Sequence, residues 1–455
     1  MNRIYSKLFR DNTCRAVYRI NSINLKKKRS FNSSACVDLC LIKMILKRLH
    51  ISLWAILFAT SLVAQMPESD SIEWSIDIED VVVTAQYAPT DSRNALQDIR
   101  TISKETIQRR GANNLEQLLS LETNIRISQD AILGSGMSLG GLGGQNVKIM
   151  IDGVPVIGRL GGNIDLTQIN LNQIERVEIV EGPLSVFYGT DALAGVINLI
   201  SKKSQLKKNE FGLSAQLEDR GENSYVARFG KRFTDNLFFQ VNAGYDEFDG
   251  FGSDSTRSSI WNPKEQKYAD ASLRYTFGAD QDIRYAFSYF DEMVTNLGDV
   301  RRPEFKPYSW DDFYFTDRIN HSLTHSGTFF EKYHLSTTLG FNQYFRKKNT
   351  IRLNYDDSST EFVNGQQDTT TFRTLMLRSV AASKFDHPIN FQLGTELTFD
   401  DGFGKRIIDP LNEREGYSEI GNYALFATVK YTPIQKLTLE AGTRYAYNTR
   451  YGTPL

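Results

Sequence analysis

Cysteine is almost missing: Cys14, Cys36 and Cys40 are the only three, and none follows in the remainder of the 455 residues. That excludes a disulfide framework or a cysteine-ligated metal in the main body, and it suits an oxidising compartment where a stray thiol is a liability. Histidine is scarce too, with five in the chain, so a zinc or iron centre is not expected and no cofactor is implied. Neither sign of charge is in excess, with 53 basic and 54 acidic residues. The basic footprint of a nucleic-acid binder is therefore absent. What is present is aromatic: 28 Phe and 21 Tyr in a chain whose mean hydropathy is −0.37. Many rings in a polar chain fit a strand-rich protein with amphipathic surfaces.

Met44–Gln65 opens on Lys47, Arg48 and His50, continues through an apolar stretch Ile51–Val63, and reaches small Ala64 before polar Gln65. The apolar part is shorter than the about 20 residues of a comfortable membrane helix. The pattern predicts a secretory signal peptide over 44–64, cleaved near Ala64. Residues 1–43, basic and carrying every cysteine, read as an upstream extension that is not native.

Composition divides the rest. Residues 65–97 are expected to be a periplasmic N-terminus, polar and acidic over 65–78 and followed by one β-prone run, Glu79–Ala85. Residues 98–203 predict a small α+β domain. One helix is capped by Ser103 and stops before Gly111; a second, near Asn114–Leu121, puts Leu115, Leu118 and Leu119 on one face. Strands are expected at Val147–Asp152, Glu175–Val180 and Gly195–Ile200, and the Gly-rich 134–144 as a loop. From 204 to 455 the period changes to two. Phe239, Val241, Ala243 and Tyr245 share one parity, as do Tyr333, Leu335, Leu339 and Phe341, and Leu393, Leu397 and Phe399. The opposite parity is polar: Arg274, Arg284, Thr338, Asn342, Gln392 and Glu396. Short turns, as at Thr234–Asn236 and Phe330–Lys332, alternate with long polar connections near 247–267, 293–314, 348–371 and 401–418. Aromatics at the ends of the apolar rows and alternating connection lengths point to a transmembrane antiparallel β-barrel rather than a soluble sandwich.

Two stretches of the small domain carry a resemblance. One is Asn146–Val156, an apolar strand that ends in Ile151-Asp152-Gly153-Val154. The other is Ile174–Ile200, with Glu175-Arg176-Val177-Glu178, Gly182-Pro183, Tyr188-Gly189 and Gly195-Val196-Ile197-Asn198 in order. Together they resemble the plug domain of TonB-dependent outer-membrane receptors. The likeness departs at Gly140 and Glu181, where an Arg is common. Barrels wide enough to hold a plug have about 22 strands; about eleven can be counted here, so the expected fold is an α+β plug inside a truncated transmembrane β-barrel.

Each motif also has a physical reading. Asp152-Gly153 is a turn in which Gly supplies a positive φ. Gly182-Pro183 breaks a strand, Tyr188-Gly189 sets a ring against a tight bend, and the Asn198 amide can bond nearby backbone. Arg176 and Glu178 share a parity and are expected to reach charges on the barrel wall. The resemblance further implies that Asp80, Val81, Val82, Val83 and Thr84 form a TonB box, an extended, unpaired segment that adds as a strand to the energy-coupling protein TonB.

Other signals are weaker. His321 and His325 share the apolar parity with Ile319, Leu323 and Phe329, so they are expected outside rather than at a metal. The acidic run Asp246–Asp254 lacks calcium-loop spacing. The Gly-rich segment lacks the Gly-Lys-Ser/Thr ending of a phosphate loop. No nucleophile, base or paired-carboxylate pattern stands out, so an enzyme is not expected. The resemblance implies TonB-dependent uptake of a ferric siderophore or cobalamin across the Gram-negative outer membrane, with TonB, membrane lipid and the small ligand as partners. A non-functional truncated receptor and a ligand sensor of the same architecture are the alternatives, and the ligand-binding residues stay unassigned.

Overall fold

The computed structural model describes residues 82–83, 90–91 and 99–452, less 131, 133, 183, 203–207, 220, 253–256, 279, 305, 384–387, 409–414 and 435–436. The chain contains two compact units, 1–77 and 78–455, and the described residues all belong to the second. The expected signal peptide and upstream extension lie outside them. No helix among the described residues is long and apolar enough to cross a membrane, which says nothing of strands.

A two-residue ladder comes first, β1 (Val82–Val83) antiparallel to β2 (Thr90–Asp91). β3 (Ile99–Ser103) runs into α1 (Lys104–Arg109), where the Ser103 hydroxyl accepts from Thr106 N. Asn114 caps α2 (Leu115–Leu119) in the same way through Gln117 N. Each cap satisfies a backbone donor that the first turn leaves orphaned, which is worth about 1 kcal/mol. Leu115, Leu118 and Leu119 are fully buried, as their i, i+3, i+4 spacing requires. Three short strands, β4 (Ile125–Asp130), β5 (Gly134–Leu139) and β6 (Leu142–Gly143), form one sheet.

The domain's main sheet adds β7 (Val147–Ile151), β8 (Val154–Pro155), β9 (Ile174–Glu181) and, after the one-turn α3 (Ser185–Tyr188), β10 (Gly195–Ser201). Its order is β3-β9-β10-β7-β8, with β10 parallel to β7 and antiparallel to β9. Every residue of β10 is buried, because both faces of this strand are covered. One face meets Leu115, Leu118 and Leu166; the other meets Leu184, Phe187 and Tyr188. Gly195 has φ 150°, and a Cβ there would lie 2.3 Å from the Val180 carbonyl, so only glycine lets β10 enter beside β9.

The remaining strands are β11 (Asn209–Leu217), β12 (Glu222–Arg232), β13 (Leu237–Phe248), β14 (Lys264–Phe277), β15 (Gln281–Leu297), β16 (Tyr308–Phe329), β17 (Tyr333–Asn354), β18 (Thr360–Phe362), β19 (Asp368–Ser383), β20 (Ile389–Ile408), β21 (Glu415–Ile434) and β22 (Leu437–Asn448). They form one antiparallel sheet in chain order, with β18 folded back on β17 and with β11 and β22 as its edges among the described residues. Eleven strands lie on the main path, as the sequence count anticipates. Register keeps parity from strand to strand: Leu339 pairs with Leu323 on one side and Leu377 on the other. The large apolar odd residues face out and stay exposed, with Leu213 at 72% and Leu425 at 62%, whereas Ser309, Asp311 and Asn349 are buried. Even residues such as Arg284, Arg318, Asn342 and Arg444 face the small domain.

Several expectations need correction. The stretches 348–371 and 401–418 are largely strand, since β17 runs to Asn354 and β20 pairs with β21 as far as Ile408 with Glu415. Polar residues there alternate on a ladder that satisfies the backbone beyond the apolar band. At 22 residues, β16 and β17 are twice as long as the nine to eleven that crossing a bilayer needs. The Gly-rich 134–144 is not a loop but β5 and β6. Its glycines make room for packing: a Cβ on Gly136 would lie 2.7 Å from the Asn163 side chain. The start of the acidic run is strand as well, with Asp246, Glu247 and Phe248 closing β13.

Candidate functional site

The sequence motifs converge on the surface between the small domain and the even face of the large sheet. β7 ends at Asp152-Gly153, with φ 50° and 81°. Asp152 accepts from Ser201 N at 2.9 Å and forms an ion pair with Arg284 of β15 at 2.8 Å. Both side chains are nearly buried, at 14% and 8% exposed. Asn198 holds the same turn by accepting from Gly153 N at 3.2 Å. The strand, its turn and β15 are thus joined through one carboxylate.

A second contact lies along 155–168. Gln168 donates to Glu292 at 2.7 Å, and Gln266 donates to the other oxygen of that carboxylate at 2.7 Å. Arg318 donates to Gln168 at 2.8 Å and to the Ile157 carbonyl at 2.6 Å. Lys264 reaches Thr167 at 3.0 Å, and Asn342 donates to the Pro155 carbonyl at 2.8 Å. Gly158 completes the fit: its φ is 94°, and a Cβ would lie 2.5 Å from the Tyr344 ring.

The third contact grips α3. Glu396 of β20 pairs with Arg378 at 3.0 Å and Arg444 at 2.9 Å. The Arg378 guanidinium lies 4.9 Å from the centre of the Tyr188 ring. Arg444 donates to the carbonyls of Val186 and Phe187 at 3.4 and 3.5 Å. Lys148 of β7 donates to the Tyr188 carbonyl at 2.6 Å. Burial lowers the pKa of the Lys148 ammonium, with Glu396 opposing it. Burial also pushes the Tyr188 hydroxyl up to about 12.

Most predicted motif residues sit here, but their roles differ. Arg176 and Glu178 pair with each other at 2.9 Å, because their shared parity on one strand sets them side by side. Glu175 is exposed on β9. Glu181, which stands where an Arg is common, accepts from Arg100 at 3.0 Å and ties β9 to β3 inside the domain. Gly182 and Gly189 both have positive φ, 104° and 82°, and Pro183 lies outside the described residues. In the expected TonB box, Asp80, Val81 and Thr84 also lie outside them. Val82 and Val83 are not unpaired as expected, because they ladder with Thr90–Asp91. His321 faces out among Tyr285, Phe287 and Phe341, and His325 lies beside Phe277 and Phe329. Sequence reasoning missed Glu292, Arg318, Arg378 and Arg444; their one signal was a charge on the polar parity of a strand.

Residues 91–196 match the TonB-dependent Receptor Plug Domain. The chain is 26% identical over 217 residues to the vitamin B12 transporter BtuB of Vibrio vulnificus, covering 47% of this chain and 35% of that protein. Its fold resembles the siderophore receptor PirA of Acinetobacter baumannii, with TM-score 0.64, 16% identity, and coverage of 80% of this chain and 58% of that one. It also resembles the ferric yersiniabactin uptake receptor FyuA of Yersinia pestis, with TM-score 0.61, 14% identity, and coverage of 77% and 56%. The chain therefore spans little over half of these structures and about a third of the curated relative.

Proposed function

We propose that this chain, whose residues 91–196 match the TonB-dependent Receptor Plug Domain, is a receptor of that family and serves energised uptake of a scarce ligand, a ferric siderophore or cobalamin, across the outer membrane. One observation carries this reading. A folded plug, residues 99–201, is seated by hydrogen bonds and ion pairs on the even, polar face of a sheet whose odd face is apolar and exposed. A sheet greasy on one side and wet on the other is built to stand between lipid and an aqueous passage. A stopper held by polar latches can be released, since each latch exchanges for water once the plug moves.

The energy for release comes from TonB, drawing on the proton gradient of the inner membrane through its partner proteins. The segment 80–84 is where TonB engages. Its β-prone valines favour an extended strand, and the ladder of Val82 and Val83 with Thr90 and Asp91 is only two residue pairs long. Exchanging that ladder for one with TonB loses at most a few net hydrogen bonds, each worth about 1 kcal/mol. Tension then passes down the chain to β3, an edge strand of the plug sheet.

The test is uptake of radiolabelled iron chelates and cobalamin by a strain carrying the whole gene, with and without Val82→Pro. Proline removes a backbone donor that strand addition needs. Binding at the cell surface should persist while energised uptake is lost. Undiminished uptake by the variant would overturn the assignment of the TonB box.

A further inference from the structure

β3 is the first strand of the plug sheet that the N-terminal segment reaches. It lies at the edge of that sheet and pairs with β9 in a register that runs from Ile99 opposite Val180 to Ser103 opposite Arg176. Ile102 joins Ile107 and Leu115 in the buried core. Arg100 shares the parity of Ile102 but ends among polar groups, where its guanidinium bridges two other segments. Nη1 donates to Glu122 at 2.9 Å and to the Thr123 carbonyl at 3.1 Å, and Nη2 donates to Glu181 at 3.0 Å. Glu122 and Thr123 lie in the turn from α2 into β4, and Glu181 ends β9.

Each acceptor is itself held. Arg110 donates to the other oxygen of Glu122, whose side chain is 7% exposed. Burial opposes the charge there, but hydrogen bonds from Arg110 and Arg100 hold this carboxyl below its ordinary pKa. Glu181 leads through Gly182, whose N donates to the Ala194 carbonyl at 3.0 Å, into α3, the element that Arg378 and Arg444 grip from the large sheet. Load entering β3 at Ile99 therefore meets, one residue on, a side chain fastened to the 122–124 turn and, through Glu181, to an anchored strand end. The ladder pairs of an edge strand can open one after another. The three Arg100 bonds share one guanidinium and give way together, and charge-assisted bonds are roughly twice as strong as neutral ones.

We infer that Arg100 is a force-bearing clasp: it holds β3 on the plug until the pull on the N-terminal segment passes a threshold, and its release is the step that lets β3 peel from β9. This rests on the uptake reading, in which the pull comes from TonB, but the clasp is a property of the plug alone. Glu181 makes it possible. An Arg at that position, where Arg is common, would face Arg100 with like charge, so the clasp belongs to a plug that carries an acid there.

The test is single-molecule pulling on the purified full-length gene product, held in a lipid bilayer with a handle on its N-terminus. Under constant load, rupture events are ordered by the chain length each releases, at roughly 3.5 Å per residue, which separates the β3 event from later ones. Arg100→Gln should shorten the lifetime of the β3 event about 10-fold or more and leave the later events as they are in the unmutated chain. Glu181→Gln, which leaves the Glu122 arm in place and so spares the fold, should shorten it too, though less. Arg109→Gln, whose bonds stay within α1, should change nothing. An unaltered β3 lifetime in either clasp variant, or an effect of Arg109→Gln as large as that of Arg100→Gln, would overturn the inference. So would an equal fall across every event, the mark of a side chain that only stabilises the plug. Neither TonB nor uptake enters this measurement, so its failure leaves the uptake reading standing, and that reading is tested separately by Val82→Pro.

Discussion

Replacing Arg284 by alanine would leave the Asp152 carboxylate at the plug surface without its cation from the sheet. The two side chains are 8% and 14% exposed and 2.8 Å apart, so solvent screens the pair little. Removing one partner of such a pair costs about 3–5 kcal/mol, of which the mutual interaction of neighbours in one network is about 0.5–3 kcal/mol. At about 1.4 kcal/mol for each factor of ten, Arg284→Ala should raise the open population of the plug turn about 100-fold or more. Hydrogen exchange at the amides of Ile149–Gly153 and Asn198–Ser201 reads this directly, because these amides lie in β7, β10 and the turn that Asp152 joins. Asp152→Ala and the double variant complete the cycle. The reasoning predicts that the double variant is much less destabilised than the sum of the two single ones. Additivity within about 0.5 kcal/mol, the value expected of independent sites, would refute the latch.

Two further outcomes follow from the plug interior. Lys148 is buried with its pKa lowered, so between its folded and unfolded values the unfolded chain binds the extra proton and plug stability rises with pH. Chemical denaturation at several pH values below about 10.4, the ordinary lysine value, should show that rise, and Lys148→Met should flatten it. Leu118→Ala, at a fully buried position of α2, should cost about 2–5 kcal/mol, measured as a lower denaturant midpoint for protection of the plug from protease.

Local rules explain which parts of this fold were legible. The caps at Ser103 and Asn114 and the leucines of α2 are set within one helical turn, so they are readable from spacing alone. The period-two rows of the large sheet are likewise local, and because parity is kept across each hairpin the two faces could be assigned before any coordinates. The interface was not legible. Asp152 and Arg284, or Gln168 and Glu292, are separated by 132 and 124 residues, and nothing in either neighbourhood names the other. Arg176 and Glu178 share a parity, and that spacing alone accounts for the ion pair they form with each other on one strand. Strand β5 was hidden by glycine, whose weak strand preference was outweighed by the need to fit Asn163 and Asp165. Extension of β20 and β21 into an expected loop reflects ladder pairing, which composition does not report.

The claim beneath all of this is that β11–β22 present an apolar odd face to lipid and a wet even face to the plug. These 455 residues hold no cysteine after Cys40, so single cysteines can be placed at Thr337, Leu339 and Phe341 and at Thr338, Gly340 and Asn342 of β17. In intact outer membranes of cells expressing the whole gene, the odd positions should react with a lipid-soluble maleimide and resist a charged one. The even positions should be shielded from the lipid-soluble reagent and open to the charged one once the plug is deleted. Equal labelling of both parities by the charged reagent, or lipid labelling of the even set, would contradict the account.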